Sequence, residues 1–179
     1  MKKLALIILF SLSLFLYWCW EKKENNLQTI KFWEFQLDIP KDYVLVKTEK
    51  KYSWKFTILY EYKESNFSGF SDSIIIAEYK WKINDYKKFF SIIKDKFLRK
   101  IPWGKVLKIW DFSVSSYKVY WFKYAISNNL FNEKENSYYG LQAYIFVSKN
   151  KAYVINYLSI EEKNIDKFIS LIKQIRLEK

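Results

Sequence analysis

From Ile30 to the C-terminus the apolar residues recur mostly at every second position, and in two stretches the spacing lengthens to three and four. Alternation sends successive side chains to opposite faces of an extended strand, so most of this region must be sheet, with one helix inserted and one helix after it. Phe35, Leu37 and Ile39 alternate with Gln36 and Asp38, and Pro40 stops the run. Tyr43 to Val46 is a second extended piece. Phe56, Ile58, Tyr60 and Tyr62 alternate with Lys55, Thr57 and Glu61 to give a third. Residues 73–79, centred on Ile74-Ile75-Ile76-Ala77, read as a more fully buried strand. Strand character resumes at 105–114, 116–126, 139–148 and 152–158, with Lys149-Asn150-Lys151 as a tight hairpin connection between the last two.

The inserted helix is marked by Tyr86, Phe89, Phe90, Ile93, Phe97 and Ile101, with Asn84 as the expected N-cap and Pro102 as the stop. Lys87, Lys88, Lys94, Asp95 and Arg99 fall on its outer side. A capping box, Ser159-x-x-Glu162, opens the last helix, which sets Ile165, Phe168, Ile169, Ile172 and Ile175 on one face. The polar interval 127–137, with Asn128-Asn129 and Asn132-Glu133-Lys134-Glu135-Asn136, is expected to be a mobile loop. The order of elements predicts an α+β fold, an antiparallel β-sheet flanked by helices, as a single domain over 30–179. A chain of 179 residues has room for one such core once an N-terminal segment is set aside.

That N-terminal segment has the layout of an export signal. Lys2 and Lys3 precede an apolar run from Leu4 to Trp18, and the polar stretch Glu21-Lys22-Lys23-Glu24-Asn25-Asn26 follows. The run ends at Cys19, the single cysteine of the chain, so no disulfide can form within it. Leu16-Tyr17-Trp18-Cys19 resembles the lipobox of bacterial lipoproteins, with Leu three residues before the cysteine. The resemblance implies cleavage after residue 18, acylation of Cys19 with chains such as palmitate, and anchoring in membrane lipid through Cys19. Residues 1–18 are then a signal peptide, and 19–29 the lipidated Cys19 with a flexible tether. The alternative is an uncleaved signal anchor with Cys19 as a buried thiol. Either arrangement places the domain on the outer face of the cytoplasmic membrane.

Trp18 departs from the lipobox, whose residue before the cysteine is small. Its place in the composition is unusual too: Trp occurs 8 times and Gly only 3 times, against an average glycine usage of about 7%. Lys supplies nearly all the basic charge, Arg occurring only at 99 and 176, as AT-rich coding favours. Some lineages with such genomes read UGA as glycine. Under that alternative genetic code Trp18, Trp20, Trp33, Trp54, Trp81, Trp103, Trp110 and Trp121 are candidate glycines, and the segment before Cys19 becomes Leu-Tyr-Gly. Turns that need positive φ would regain the residue that adopts it freely. The alternative is a chain that is rich in tryptophan.

Phe35-Gln36-Leu37-Asp38-Ile39-Pro40-Lys41-Asp42-Tyr43 as opening strand and turn, Trp103-Gly104 ahead of a strand pair, and Ala152-Tyr153-Val154-Ile155-Asn156-Tyr157 before the terminal helix together resemble the PsbP-like family. The resemblance spans 30–179 and implies an α/β/α sandwich. Photosynthetic members act at the oxygen-evolving centre, a role that no residue here carries over, and members in other bacteria look like small lipoproteins.

Histidine is absent, which excludes Ser-His-Asp and Cys-His sites and imidazole metal ligation. No P-loop, GxGxxG or GxSxG is present. Asp72, Asp85, Asp95 and Asp111 fall at element margins, Glu133 and Glu135 in the polar interval, and Glu161 and Glu162 at a helix start where capping explains them. No cofactor is implied. A net charge of +12 invites a nucleic-acid reading. The lysines, however, alternate with acids and core residues, and Arg, the residue suited to bidentate contacts, is scarce. The expectation is no nucleic-acid partner. The sequence therefore points to a lipid-anchored, non-enzymatic binding or structural domain of the cell envelope with an envelope protein as partner. The alternative is an exported carboxylate-dependent hydrolase or transferase held by the uncleaved anchor, since paired acids can come from distant strands.

Overall fold

The structure, a computed structural model, describes residues 26–53, 56–64, 72–101, 103–127 and 137–178. In chain order these form β1 (Leu27–Phe32), β2 (Phe35–Pro40), β3 (Tyr43–Ser53), β4 (Phe56–Glu64), β5 (Ser73–Lys80), α1 (Tyr86–Lys100), β6 (Gly104–Val114), β7 (Tyr117–Ser127), β8 (Ser137–Ser148), β9 (Lys151–Ser159), α2 (Glu162–Ile172) and β10 (Arg176–Leu177). The strands make two antiparallel sheets, one of three strands in the order β1-β2-β10 and one of seven in the order β3-β4-β5-β9-β8-β7-β6.

The large sheet is apolar on both faces because its alternating side chains feed two cores. Leu141, Ala143 and Ile145 of β8 and Tyr153, Ile155 and Tyr157 of β9 join the core that receives α2 and the small sheet. The intervening Tyr144, Phe146, Ala152 and Val154 join the core that receives α1. On that side Phe90 meets the rings of Tyr120, Phe122 and Tyr144, and Phe97 packs on Tyr124 at 4.8 Å. Gly140 of β8 lies opposite Tyr124, and a Cβ there would stand 2.1 Å from the tyrosine ring, so the ring occupies the space that the missing side chain leaves. On the other side Ile165, Phe168 and Ile172 of α2 are buried, with the Phe168 ring tilted against Tyr157 at 4.3 Å. The helix faces expected from sequence are therefore the packed ones. Of the first, Phe90 is buried while Phe89, Ile93 and Phe97 are partly covered at the rim.

Several local expectations are corrected. β1 begins at Leu27, inside the stretch 19–29 expected to be tether, because it pairs with β2 along its whole length from Leu27↔Pro40 to Phe32↔Phe35. The piece read as Tyr43 to Val46 continues to Ser53 against β4. The cap of α1 is Asp85, not Asn84: its carboxylate accepts from the Lys88 amide at 3.0 Å. The capping box at α2 does not form, because Ser159 is held in β9 by pairing with Tyr139. Glu161 is the N-cap and makes no side-chain cap bond, while Ser159 Oγ accepts from the Glu161 amide at 3.0 Å. The chain then adds β10 to the small sheet, where Arg176 grips Asp38 with two bonds of 2.8 and 2.9 Å and holds its carboxyl below the ordinary value. The interval read as a mobile loop lies, over 128–136, outside the described residues.

The tryptophans show where local geometry and residue type conflict. Trp33 occupies the β1–β2 turn at φ 54° and is 47% exposed. Its ring nevertheless stacks on Tyr153 at 5.5 Å beneath Lys151 Nζ. Trp81 follows β5 and Trp103 precedes β6, both exposed. Trp110 is exposed as well, but mid-strand rather than at a turn or strand end, since Ile109, Trp110 and Asp111 pair in unbroken register with Phe122, Trp121 and Tyr120. Trp121 points into the core with an indole N–H that is buried and has no hydrogen-bond partner, at a cost of about 1–3 kcal/mol. Trp18, Trp20 and Trp54 lie outside the described residues.

A side chain at positive φ costs about 1–2 kcal/mol that glycine does not incur. Trp33→Gly should therefore unfold at higher denaturant than Trp33→Ala, by about 1 kcal/mol, although both lose the same ring contacts. Equal stabilities would remove the strain argument. The expectation that these positions are glycine requires UGA at 33 and 121 in the gene, and UGG at most of the eight sites would end it.

Candidate functional site

Four stretches far apart in sequence converge at one end of the α2 side of the sheet. The Glu64 amide donates to the Asp72 carbonyl at 3.2 Å, which draws the end of β4 and the residue before β5 together. β2 ends at Pro40, and the following turn delivers Asp42 and Tyr43 to the same place. β9 contributes Tyr157, and the first turn of α2 contributes Asn164. They enclose a pocket of about 230 Å³, walled on the helix side by Lys167, Phe168 and Leu171.

Asp72 is the hub. It is 6% exposed, and its Oδ2 accepts from Tyr157 Oη at 2.7 Å, Asn164 Nδ2 at 3.2 Å and Tyr43 Oη at 3.4 Å. The two phenol oxygens are 3.1 Å apart. Burial pushes the Tyr157 phenol far above its ordinary range, and Tyr43 and Asp72 beside it act in the same direction. Burial does the same to Tyr43, reinforced by the charges of Asp72, Glu64 and Asp42. Both phenols therefore keep their protons and serve as donors to a carboxylate that has little exchange with water. Glu64 at the mouth is raised as well, first by burial and then by the negative charge of Asp72, Asp42 and Glu161. A carboxyl that resists ionisation beside other acids marks a place where a positive charge would be welcome.

A second polar contact fixes the helix that walls the pocket. Lys123, nearly buried in the middle of β7, bonds Asp166 at 2.8 Å and Glu162 at 2.9 Å on α2. Burial opposes its charge, and the two carboxylates outweigh burial, so the ammonium is held more firmly than usual. Replacing one partner would leave a charge stranded against the sheet.

Of the acids noted in the sequence, Asp72 is the hub, Asp42 lines the pocket, and Glu161, paired with Lys163 at 3.0 Å, acts on Glu64 by its charge. Asp85 caps α1, Asp95 pairs with Lys94 at 3.3 Å, Asp111 lies exposed on β6, and Glu162 holds Lys123. Glu133, Glu135 and the expected lipidation residue Cys19 lie outside the described residues. Asn164 and Glu64 were not singled out in the sequence, and Tyr43 and Tyr157 entered only as members of the segments that carry the family resemblance. Among the described residues no group of His, Cys, Asp and Glu is arranged to hold a metal ion, and no helix is long and apolar enough to cross a membrane.

Comparison with known proteins finds no matching family model and no matching curated sequence. Solved structures do match. The chain is similar to the cyanobacterial PsbP of Synechocystis sp. PCC 6803, with a TM-score of 0.59 and 12% identity, covering 85% of this chain and 92% of that one. LpqN of Mycobacterium tuberculosis, described as involved in cell envelope biogenesis, matches with a TM-score of 0.56 and 12% identity over 88% and 94% of the two chains. The Ran-binding protein Mog1p of Saccharomyces cerevisiae matches with 0.55 and 11% over 85% and 95%. The domain thus has the PsbP-like α+β fold, as the sequence pattern implied. At these identities the likeness concerns the fold.

Because Glu64 holds its proton more tightly in the folded chain than in the unfolded one, its contribution to stability is complete below its ordinary value of 4.5 and is lost as pH rises through the raised value. Glu64→Gln removes that loss. The stability of the variant relative to the parent should rise as pH increases from about 4 towards neutrality, measured by urea unfolding across the series. A pH-independent difference would show that the mouth is not acidic in the way described.

Proposed function

We propose that this chain is a lipoprotein, held through acylated Cys19 on the outer face of the cytoplasmic membrane, whose domain is a non-enzymatic binding module for a cationic group on a cell-envelope partner. The observation that carries the binding half is the Asp72 pocket: Asp42, Glu64 and Asp72 line it together in a chain of net charge +12, and the carboxyl of Glu64 is raised first by burial and then by the neighbouring acids. An ammonium or guanidinium group entering there would relieve that repulsion and find the Tyr43 and Tyr157 rings alongside. The envelope half is supported by the export signal, the run into Cys19, and the fold shared with LpqN.

Three donors converge on Asp72 Oδ2 and hold that carboxylate in one orientation, which suits a fixed wall for a bound group. The raised Glu64 is the one feature that favours the second reading, an exported carboxylate-dependent hydrolase or transferase with Glu64 as acid.

In native membranes the mature chain should begin at Cys19 and carry acyl mass, and Cys19→Ala should move it from the detergent phase to the aqueous phase. An intact Met1 without acyl mass would replace the lipoprotein by the uncleaved anchor. For the pocket, titration with an alkylammonium or alkylguanidinium probe should shift the Tyr43 and Tyr157 ring resonances in the parent, and weaken about tenfold in Glu64→Gln, as loss of one partly buried charge contact implies. Equal affinity in the two proteins would discard the cation reading.

A further inference from the structure

The basic excess of this chain is not spread evenly, and its densest part lies on the side of the sheet opposite the pocket. α1 turns Tyr86, Phe89, Phe90, Ile93 and Phe97 towards the sheet, leaving Lys87, Lys88, Lys96, Arg99 and Lys100 exposed. The one acid of that outer face, Asp95, is already paired with Lys94. No carboxylate among the described residues lies within ion-pair distance of the five exposed cations. Of the two arginines, Arg176 is engaged with Asp38, whereas Arg99 touches only the Asp95 carbonyl through Nε at 3.4 Å and keeps its outer fork open. An open guanidinium fork matches two oxygens of a phosphate.

The cations stand beside apolar surface. Where α1 leaves the sheet, a groove of about 470 Å³ opens between Ile93, Phe97 and Tyr144, and Lys96, Arg99 and Lys100 rim it. Ile92 on the outer face is 43% exposed. An acidic protein surface would satisfy the charges but leave the groove unused. An anionic phospholipid surface uses both, with headgroup phosphates on the cations and the glycerol and upper acyl segment against the apolar floor.

We propose that the outer face of α1 is a docking surface for an anionic lipid bilayer, with Lys96, Arg99 and Lys100 as the headgroup contacts. Docked this way, the domain turns α2 and the acidic pocket away from the membrane. The inference rests on the envelope reading only for the nearness of a bilayer.

The test uses the full chain reconstituted in vesicles of phosphatidylcholine alone, or of phosphatidylcholine with phosphatidylglycerol. Amine acylation by a water-soluble reagent is followed residue by residue. Lys96 and Lys100 should react about fivefold more slowly on the anionic vesicles, the gain expected for a cation close to such a surface, and high salt should restore the rate. Lys167 and Lys173 of α2 should be unaffected. In the triple variant K96Q/R99Q/K100Q the remaining Lys87 and Lys88 should lose their protection. Equal rates on the two kinds of vesicle, protection on α2 instead, or protection on neutral vesicles that grows with protein concentration would each overturn the proposal, the last in favour of a second copy. Flotation with the neutral vesicles reports separately on the N-terminal anchor, so failure of the anchor and failure of α1 docking are told apart.

Discussion

The molecule depends on β9 lying in the middle of the seven-stranded sheet, between β5 and β8. It reaches β5 across the intervening α1, β6, β7 and β8 and pairs with it from Ser73↔Leu158 to Lys80↔Lys151. A strand with neighbours on both sides satisfies its backbone groups entirely within the sheet and can be apolar on both faces. Ala152 and Val154 serve the core under α1, and Tyr153, Ile155 and Tyr157 the core under α2. Both helices therefore rest on the same strand system, and so does the pocket, because Tyr157 of β9 donates to Asp72 within it.

That layering separates charge. Lys123 crosses from the sheet to Glu162 and Asp166 and pins α2, and the acids Asp42, Glu64 and Asp72 meet beside that helix. The unbalanced cations accumulate on α1, on the other face. An intervening sheet with apolar side chains on both faces keeps the two fields apart over a distance comparable with the screening length in physiological salt. A domain with such a dipole has a preferred attitude to an anionic surface, which is the attitude that the proposed docking of α1 uses.

Much of the fold was legible because alternation and helical periodicity are local. Phe35, Leu37 and Ile39, the Ile74–Ala77 block and the helix stripes as far as Phe97 and Ile172 are where the pattern places them, while Ile101 and Ile175 fall beyond the helix ends. What was not legible depended on distant partners. Leu27-Gln28-Thr29 looked like tether because their strand character comes from β2, and β10 is two residues long and is a strand only because β2 receives it. Ser159 had the spacing of a cap, and pairing with Tyr139 placed it in a strand instead. Asp72 read as a solvated margin because the residues that bury it, Tyr43, Tyr157 and Asn164, lie 29, 85 and 92 positions away.

The sequence by itself determined the element types, the number of apolar helix faces, the basic balance and the export-like start, since each follows from neighbours within a turn or a strand of one another. Tertiary structure decided which acids became functional candidates and which lysines formed a surface. A carboxylate acquires its protonation behaviour from donors and charges around it in space, and a run of lysines becomes a patch only when a sheet covers the other side of its helix. Trp33 and Trp121 are where the two levels disagree. The backbone of one and the buried N–H of the other are set by the fold, and neither suits the indole written at that position.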